Sequence, residues 1–158
     1  MKKQEKTNVM RLLDQRKISY EPHFYGDTGA VSGTEVAAAL GEDPAQVYKT
    51  LVTVGKSGEH FVFVIPVEQE LDLRKAASAA GEKNIEMIKS KELLPLTGYI
   101  HGGCSPVGMK KQFATFLDST AEGKPVIFVS GGKIGCQIEI SPDALHSIVP
   151  FHYAPLTV

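Results

Sequence analysis

Two short apolar segments with a polar turn between them constrain the fold of this chain more than any other feature of its sequence. Residues Tyr48 to Val54 and Phe61 to Ile65 are rich in β-branched and aromatic side chains, and Lys56-Ser57-Gly58-Glu59 separates them. This arrangement is typical of a β-hairpin, because such side chains fit a half-buried pleated surface and glycine accepts the backbone of a tight turn. The sequence therefore predicts paired strands between residues 48 and 65.

Helix start and stop residues lie on both sides of the predicted hairpin. Threonine, serine and aspartate accept hydrogen bonds from free N–H groups at a helix start, and glycine accepts the left-handed backbone that commonly ends a helix. The helices with a predicted start and end run from Thr7 to about Arg16, from the capping box Ser32-Gly33-Thr34-Glu35 to Gly41, from Asp72 to Gly81, and from Lys91 to Leu94 with Pro95 as a limit. Two more helices have only a predicted start, at Asp43-Pro44 and at Ser141-Pro142-Asp143.

Strands outnumber helices along the chain, and several are joined by short turns. Beyond the hairpin, the predicted strands are Ile85 to Ile88, a strand beginning at Tyr99-Ile100-His101, Phe113 to Leu117, Val126 to Val129, and Cys136 to Ile140. This order favours an α+β fold with a mixed, largely antiparallel sheet over a doubly wound parallel sheet. With 158 residues and no linker-like segment, one domain over residues 1–158 is expected.

Charge and composition restrict the classes of partner and the cellular location. A formal net charge of −1 argues against a protein that holds nucleic acid by a strong overall positive field. Local lysine clusters at Lys2-Lys3, Lys89 to Lys91 and Lys110-Lys111 are either basic patches or solvated surface. No apolar run has the length of a signal peptide or a membrane span, and the two cysteines form no Cys-x-x-Cys pair. We expect a soluble, reduced, cytoplasmic protein with no membrane segment.

Two glycine-rich segments follow predicted strands. They are Gly102 to Gly108 and Ser130-Gly131-Gly132-Lys133, and neither has the spacing of a phosphate-binding Walker motif. Glycines let a backbone approach a ligand closely and direct N–H groups at an anion or a carbonyl. Each segment taken alone is also compatible with a simple tight turn.

Lys49 and Cys104 are the side chains whose position invites a chemical role. Lys49 lies in an apolar strand, and alternation places it on the face of Leu51, which is either solvent-exposed or turned to a pocket. Cys104 is either a nucleophile, which requires a nearby base, or a buried inert thiol. No cysteine or histidine pair has the spacing of metal ligands, so no metal is predicted.

Taken together, the motifs resemble a known family. Phe24-Tyr25, Tyr48-Lys49-Thr50-Leu51, Gly98-Tyr99, Gly102 to Gly108 and Val129 to Lys133 resemble, in order and over nearly the whole chain, the YbaK-type aminoacyl-tRNA deacylases. These are relatives of the editing insertion domain of bacterial prolyl-tRNA synthetases. The combination of these motifs is specific, whereas none of them would be specific alone.

The resemblance implies hydrolysis of the ester between an amino acid and the tRNA 3′ end, without a cofactor or metal. It implies a partly barrel-like sheet surrounded by helices and an essential lysine at Lys49. It also implies the branch of the family that removes cysteine from tRNA(Pro) and acts on Cys-tRNA more broadly. That branch uses the thiol of the substrate itself as the nucleophile. The aminoacylated acceptor end would be the ligand, with prolyl-tRNA synthetase as a further partner. The substrate-binding residues expected from the motifs are Tyr25, Thr50, Gly102, Gly103, Ser105, Pro106, Ser130, Gly131 and Gly132, and Lys110 and Lys111 are candidate tRNA phosphate contacts.

Three other functions stay open from the sequence. A sister deacylase would clear alanine, serine or threonine esters instead of cysteine. A binding module would hold a tRNA end or a synthetase without catalysis, and a cysteine hydrolase would use Cys104 as its nucleophile. Oligomeric state is not predicted.

Overall fold

The computed structural model describes residues 6–30 and 32–158, so the lysine cluster at Lys2-Lys3 and most of the N-terminal segment lie outside the described residues. The helices are α1 Asn8–Gln15, α2 Gly33–Leu40, α3 Leu73–Ala80, α4 Ser90–Thr97 and α5 Pro142–His146. The strands are β1 Glu21–Phe24, β2 Tyr48–Gly55, β3 His60–Pro66, β4 Ile85–Met87, β5 Ala114–Asp118, β6 Ile127–Ser130, β7 Cys136–Ile140 and β8 Phe151–Ala154.

The strands form two sheets that a short bridge connects. One sheet has the order β1-β7-β6 and is antiparallel throughout, and the other has the order β4-β2-β3-β5-β8. In the larger sheet β2 pairs antiparallel with β3 and β4, while the β3–β5 and β5–β8 pairs are parallel. A parallel bridge between Val47 and Phe128 joins the sheets. The predicted α+β class with a mixed, largely antiparallel sheet is confirmed; across the described residues the strands do not close into a barrel.

The main core lies between the two sheets and under α1. Val62 and Val64 of the larger sheet, Val129 and Ile138 of the smaller one, and Leu13 of α1 belong to one buried apolar cluster. A second cluster covers the opposite face of the larger sheet, where α3 packs on β3. Because β3 is apolar at consecutive positions, it is buried on both faces, as expected of a strand inside a layered fold.

Local capping predictions are confirmed. The Thr7 side chain accepts from the Met10 N–H, Ser32 and Glu35 form a reciprocal capping box, and Asp72 caps α3. Gly41 and Gly81 end their helices in the left-handed conformation, with φ of 68° and 72°. Asp43-Pro44 starts only a short 3-10 turn, Pro44–Gln46.

Other predictions about secondary structure are wrong. The segment at Tyr99-Ile100-His101 is not a strand but an irregular segment leading into a turn. Tyr99 is buried in the main apolar cluster without joining a sheet, and its hydroxyl donates to the backbone carbonyl of Val107. Helix α4 continues through Pro95 to Thr97, so Pro95 removes one hydrogen bond without ending the helix, which instead ends at Gly98 in the left-handed conformation. Strands β1 and β8 were not predicted.

None of the helices in the described part of the chain has the length and apolar character needed to cross a bilayer.

Candidate active site

A cavity of about 520 Å³ opens between the two sheets, and five of the predicted site residues line it. These five are Tyr25, Lys49, Thr50, Gly102 and Ser130. They come from the end of β1, from β2, from the loop after α4, and from the end of β6. The volume falls within the range of about 300–1,000 Å³ that is common for small-ligand sites. The fold therefore gathers residues that are more than 100 positions apart in the sequence.

Lys49 is one of the residues that line the cavity. Its strand pairs with β3, where Ile65 is the partner of Lys49, so the backbone of the lysine is fixed by the sheet. The side chain is half-buried, and it forms no ion pair or hydrogen bond with any residue in the ranges 6–30 and 32–158. This position agrees with the pocket alternative for Lys49, and no described residue occupies its ammonium group.

Two buried polar atoms at the cavity lack hydrogen-bond partners. They are the hydroxyl oxygen of Thr50 and the side-chain amide oxygen of Gln137, and no described residue satisfies either one. A buried polar atom left unpaired costs about 1–3 kcal/mol. Such atoms in a cavity indicate groups that a ligand would satisfy.

The glycine-rich loops contribute backbone at the cavity wall, although not every glycine faces the cavity. Gly102 lines it with a φ of 89°, a conformation that favours glycine. The Gly103 N–H instead donates to the Ile100 carbonyl at 3.0 Å, and a side chain there would lie 3.0 Å from the Lys133 Cα. Gly103 therefore lets the two loops pack closely, and its N–H is already used.

Most of the other loop residues predicted to bind substrate do not line the cavity, and their polar groups form hydrogen bonds within the loops. The Gly131 N–H donates to the Cys136 carbonyl at 3.0 Å, and the Gly132 N–H donates to the Ser130 hydroxyl at 3.1 Å. The Ser105 hydroxyl is buried and accepts from the Val107 N–H at 3.2 Å. The predicted residues outside the cavity lining are Gly103, Ser105, Pro106, Gly131, Gly132, Lys110 and Lys111.

The two cysteines both line the cavity but have the properties of inert thiols. Burial raises the pKa of the Cys104 thiol to about 12 and that of Cys136 to about 11. No hydrogen bond joins Cys104 to a histidine within the described parts of the chain. A thiol is nucleophilic as the thiolate, so at neutral pH neither cysteine is activated.

The charged groups at the cavity are all basic. Lys49 and Lys89 line it together with His101, and its lining within the described residues contains neither aspartate nor glutamate. Such a cavity favours a ligand that carries phosphate or develops negative charge, because no carboxylate opposes it. Over the same described residues, no cluster of histidine, cysteine or carboxylate side chains is placed to hold a metal ion.

Several residues that line the cavity were not predicted from the sequence. Gln137 is the clearest, and the alternating pattern Cys136-Gln137-Ile138-Glu139-Ile140 would have placed it on the face opposite the core. Met87 and the first turn of α2 at Gly33 also line the cavity. Nothing in their local sequence indicates this, because they reach the site through the packing of separate elements.

Comparisons with known proteins agree with this architecture. Residues 28–148 match the aminoacyl-tRNA editing domain family. The chain is 46% identical to EbsC of Enterococcus faecalis, a provisionally assigned Cys-tRNA(Pro)/Cys-tRNA(Cys) deacylase, over 99% of this chain and 96% of that protein. It is 30% identical to a proline–tRNA ligase of Pelobacter propionicus over 56% of this chain and 16% of the ligase.

A solved structure shows the same fold. The crystal structure of a provisionally assigned trans-editing enzyme for prolyl-tRNA synthetase superposes with a TM-score of 0.82 at 27% identity, covering 95% of this chain and 94% of the other. The family match spans most of the chain, and the similarity to EbsC extends over nearly all of it. On these grounds the chain belongs to the aminoacyl-tRNA editing domain family.

Proposed function

We propose that this chain is a trans-editing deacylase that hydrolyses the ester of Cys-tRNA(Pro), and also of Cys-tRNA(Cys), as a single cytoplasmic editing domain over residues 1–158. The 46% identity with EbsC supports the substrate class. The observation that carries the proposal is the cavity, whose lining includes both Lys49, with an unpaired ammonium group, and Gly102.

The proposed reaction uses the thiol of the substrate as its nucleophile. The cysteinyl sulfur attacks its own ester carbonyl carbon, the bond from that carbon to the ribose oxygen breaks, and the thiol proton ends on the ribose oxygen. A cyclic thioester leaves, and water opens it to free cysteine. This route is supported by the raised pKa values of Cys104 and Cys136, which leave the protein without an activated thiol at the cavity. Holding the reacting groups together supplies several kcal/mol toward the barrier.

The cavity residues have distinct proposed roles. The Gly102 N–H has no partner among the described residues and is proposed to stabilise the oxyanion that forms at the carbonyl, an effect of about 3 kcal/mol for one donor. Lys49 is proposed to hold the terminal phosphate or ribose through its positive charge. Tyr25, with Ser130 and the Thr50 hydroxyl, is proposed to contact the terminal adenosine.

Specificity for tRNA is proposed to come partly from outside the chain. The net charge of −1 provides little general attraction for nucleic acid, so prolyl-tRNA synthetase, which makes the error, is the proposed source of the substrate. The partial match to a proline–tRNA ligase supports a shared substrate class. Lys110 and Lys111 are exposed and lie outside the cavity lining, where they are proposed to contact tRNA phosphates.

The test is turnover of Cys-tRNA(Pro), Ala-tRNA(Pro) and Pro-tRNA(Pro) by the wild type and by Lys49→Ala. We expect rapid loss of the cysteinyl ester alone and a decrease in kcat/KM of about a hundredfold for Lys49→Ala. Lys56→Ala is the matched control, because Lys56 is an exposed lysine at the turn of the same hairpin. A decrease of less than about tenfold for Lys49→Ala would exclude the role of the lysine.

Two further arms of the same assay separate the remaining alternatives. A substrate charged with S-methylcysteine should resist cleavage, since its sulfur carries no proton and cannot form the cyclic thioester; normal cleavage would indicate attack by water. Preference for the alanyl ester would instead identify a sister deacylase.

Neutralising Lys110 and Lys111 together should reduce the salt dependence of turnover, and an unchanged salt dependence would remove them from the interface.

A further inference from the structure

Two large apolar side chains are exposed on the loops beside the cavity. Ile100 is 52% exposed and Ile134 is 48% exposed. A single exposed apolar side chain is ordinary on a protein surface. Ile100, however, directly precedes the cavity-lining residues His101 and Gly102, and Ile134 ends the glycine-rich segment that begins at the cavity-lining residue Ser130. Their place beside a candidate site makes both isoleucines candidates for contact with a ligand.

The two loops contact each other at the edge of the cavity. A Cβ placed at Gly102 would lie 3.4 Å from the Ile134 Cγ1, so the Ile134 side chain lies directly against Gly102. Gly102 is itself exposed and lines the cavity, which puts this contact where the cavity meets solvent. Within the first loop, the Ile100 carbonyl accepts from the Gly103 N–H at 3.0 Å and closes a tight turn around His101 and Gly102. We call Ile100 and Ile134 the apolar rim.

The charged side chains of these loops are basic. Lys133 and His101 are exposed next to the two residues of the apolar rim, and no described residue forms an ion pair with Lys133. Residues 93–117 and 123–138, which include both loops, contain no aspartate or glutamate. Such a surface fits single-stranded RNA, because aliphatic side chains remove the faces of unstacked bases from water while cations contact the phosphates.

We propose that the apolar rim and Lys133 bind the single-stranded nucleotides that precede the terminal adenosine of the acceptor end. This inference rests on the proposed function, which puts the terminal adenosine and its ester in the cavity. The strand must then cross the edge of the cavity to reach solvent, and the apolar rim lies at that edge. Bases pack against Ile100 and Ile134, and the Lys133 ammonium group contacts a phosphate. The rim supplies affinity for an unpaired 3′ end that a net charge of −1 does not provide.

The first test compares two cysteinyl esters of different length. One carries cysteine on adenosine alone, and the other carries it on the trinucleotide CCA. The wild type should cleave the trinucleotide ester with the higher kcat/KM, and Ile100→Ala combined with Ile134→Ala should reduce the ratio of the two kcat/KM values about tenfold. The ratio cancels any effect of these changes on cleavage of the ester itself. Leu73→Ala is the matched control and should keep the wild-type ratio, because Leu73 is exposed on α3 outside the cavity lining.

A second readout requires no turnover. The isoleucine methyl resonances are followed while CCA carrying cysteine in a non-hydrolysable amide linkage is added. The methyl groups of Ile100 and Ile134 should shift more with this trinucleotide than with the matching adenosine amide, whereas the buried Ile140 should respond to neither. Lys133→Ala should reduce the salt dependence of trinucleotide binding, because one phosphate contact is lost.

The outcomes separate this inference from the proposed function. A ratio that stays at the wild-type value in the double variant, or methyl resonances of the apolar rim that do not respond to the trinucleotide, would overturn the inference and leave the rim to a protein partner. A wild type that cleaves neither ester would refute the proposed function instead, and the methyl resonances would still decide whether the rim binds the RNA.

Discussion

Side chains in this cavity are tuned more by burial than by specific partners. Desolvation is the first cause of the raised pKa at Cys104 and at Cys136. Lys49, in contrast, is only half-buried and keeps its ammonium group accessible. These properties support the proposed mechanism, in which the positive charge of Lys49 and backbone polar groups act on the substrate and neither cysteine is the nucleophile.

Cys104→Ala should keep deacylase activity within about threefold of the wild type, because a protonated thiol contributes little as a nucleophile. Alkylation by iodoacetamide gives an independent check. With a thiol pKa of about 12, the folded protein should react slowly at pH 8 and faster as the pH approaches that value, whereas unfolded protein should react rapidly at pH 8. An inactive Cys104→Ala variant, or fast labelling of Cys104 in the folded protein at pH 7, would restore the cysteine-hydrolase interpretation.

At the scale of single elements, the sequence predicts structure best where the cause is local. The caps at Thr7, Ser32 and Asp72 were predictable because each hydrogen bond joins residues within three positions. Strand β1 was not predictable, because Glu21 and Pro22 disfavour a central strand. It exists as an edge strand, where proline is tolerated and pairing with β7 supplies the hydrogen bonds.

The contact between α2 and the end of β3 gives an element-scale prediction. A Cβ added at Gly33 would lie 2.8 Å from the Cβ of Val67, so Gly33→Ala must push the start of α2 away from the sheet. We expect a loss of about 1–3 kcal/mol in the free energy of unfolding, together with a raised KM, since Gly33 and Val67 both line the cavity.

Gly26→Ala is the matched control for this change. An added Cβ at Gly26 meets no atom within 4 Å, and its φ is not in the left-handed region. Urea denaturation of the two variants should therefore differ clearly, with Gly26→Ala within about 1 kcal/mol of the wild type. Equal free energies of unfolding for the two variants would show that α2 can move away from the sheet without a loss of stability.

For the molecule as a whole, non-local pairing determines the topology. The hairpin of β2 and β3 follows from its turn, but the parallel β3–β5 and β5–β8 pairs join residues 53 and 36 positions apart, and no local pattern indicates them. The site residues divide in the same way, into those that a local motif indicates and those that depend on non-local packing. Motif matching predicted Tyr25, Lys49, Thr50, Gly102 and Ser130, whereas Gln137 and Met87 depend on how the elements pack.

The shared core predicts that the two sheets unfold together. Ile138 of the smaller sheet is fully buried in the same cluster as Val62 and Val64 of the larger one. Ile138→Ala should therefore lower the free energy of unfolding by about 2–5 kcal/mol and reduce amide hydrogen-exchange protection in β3 as much as in β7. Loss of protection in β7 alone would show that the sheets are independent. Ile134→Ala, at a position 48% exposed, is the control and should change stability by less than about 0.5 kcal/mol.

Gly102, a residue without a side chain, lines the cavity together with the apolar residues Val67 and Met87. Main-chain groups keep their positions when a neighbouring side chain is exchanged for a larger or smaller one. If the proposed function holds, substitutions at Val67 and Met87 should therefore change which amino acid fits, while the backbone at Gly102 stays in place. Proteins that evolve from such a chain can change their substrate range while they keep the same reaction. A search for a deacylase of another amino acid would therefore start from a library of variants at Val67 and Met87.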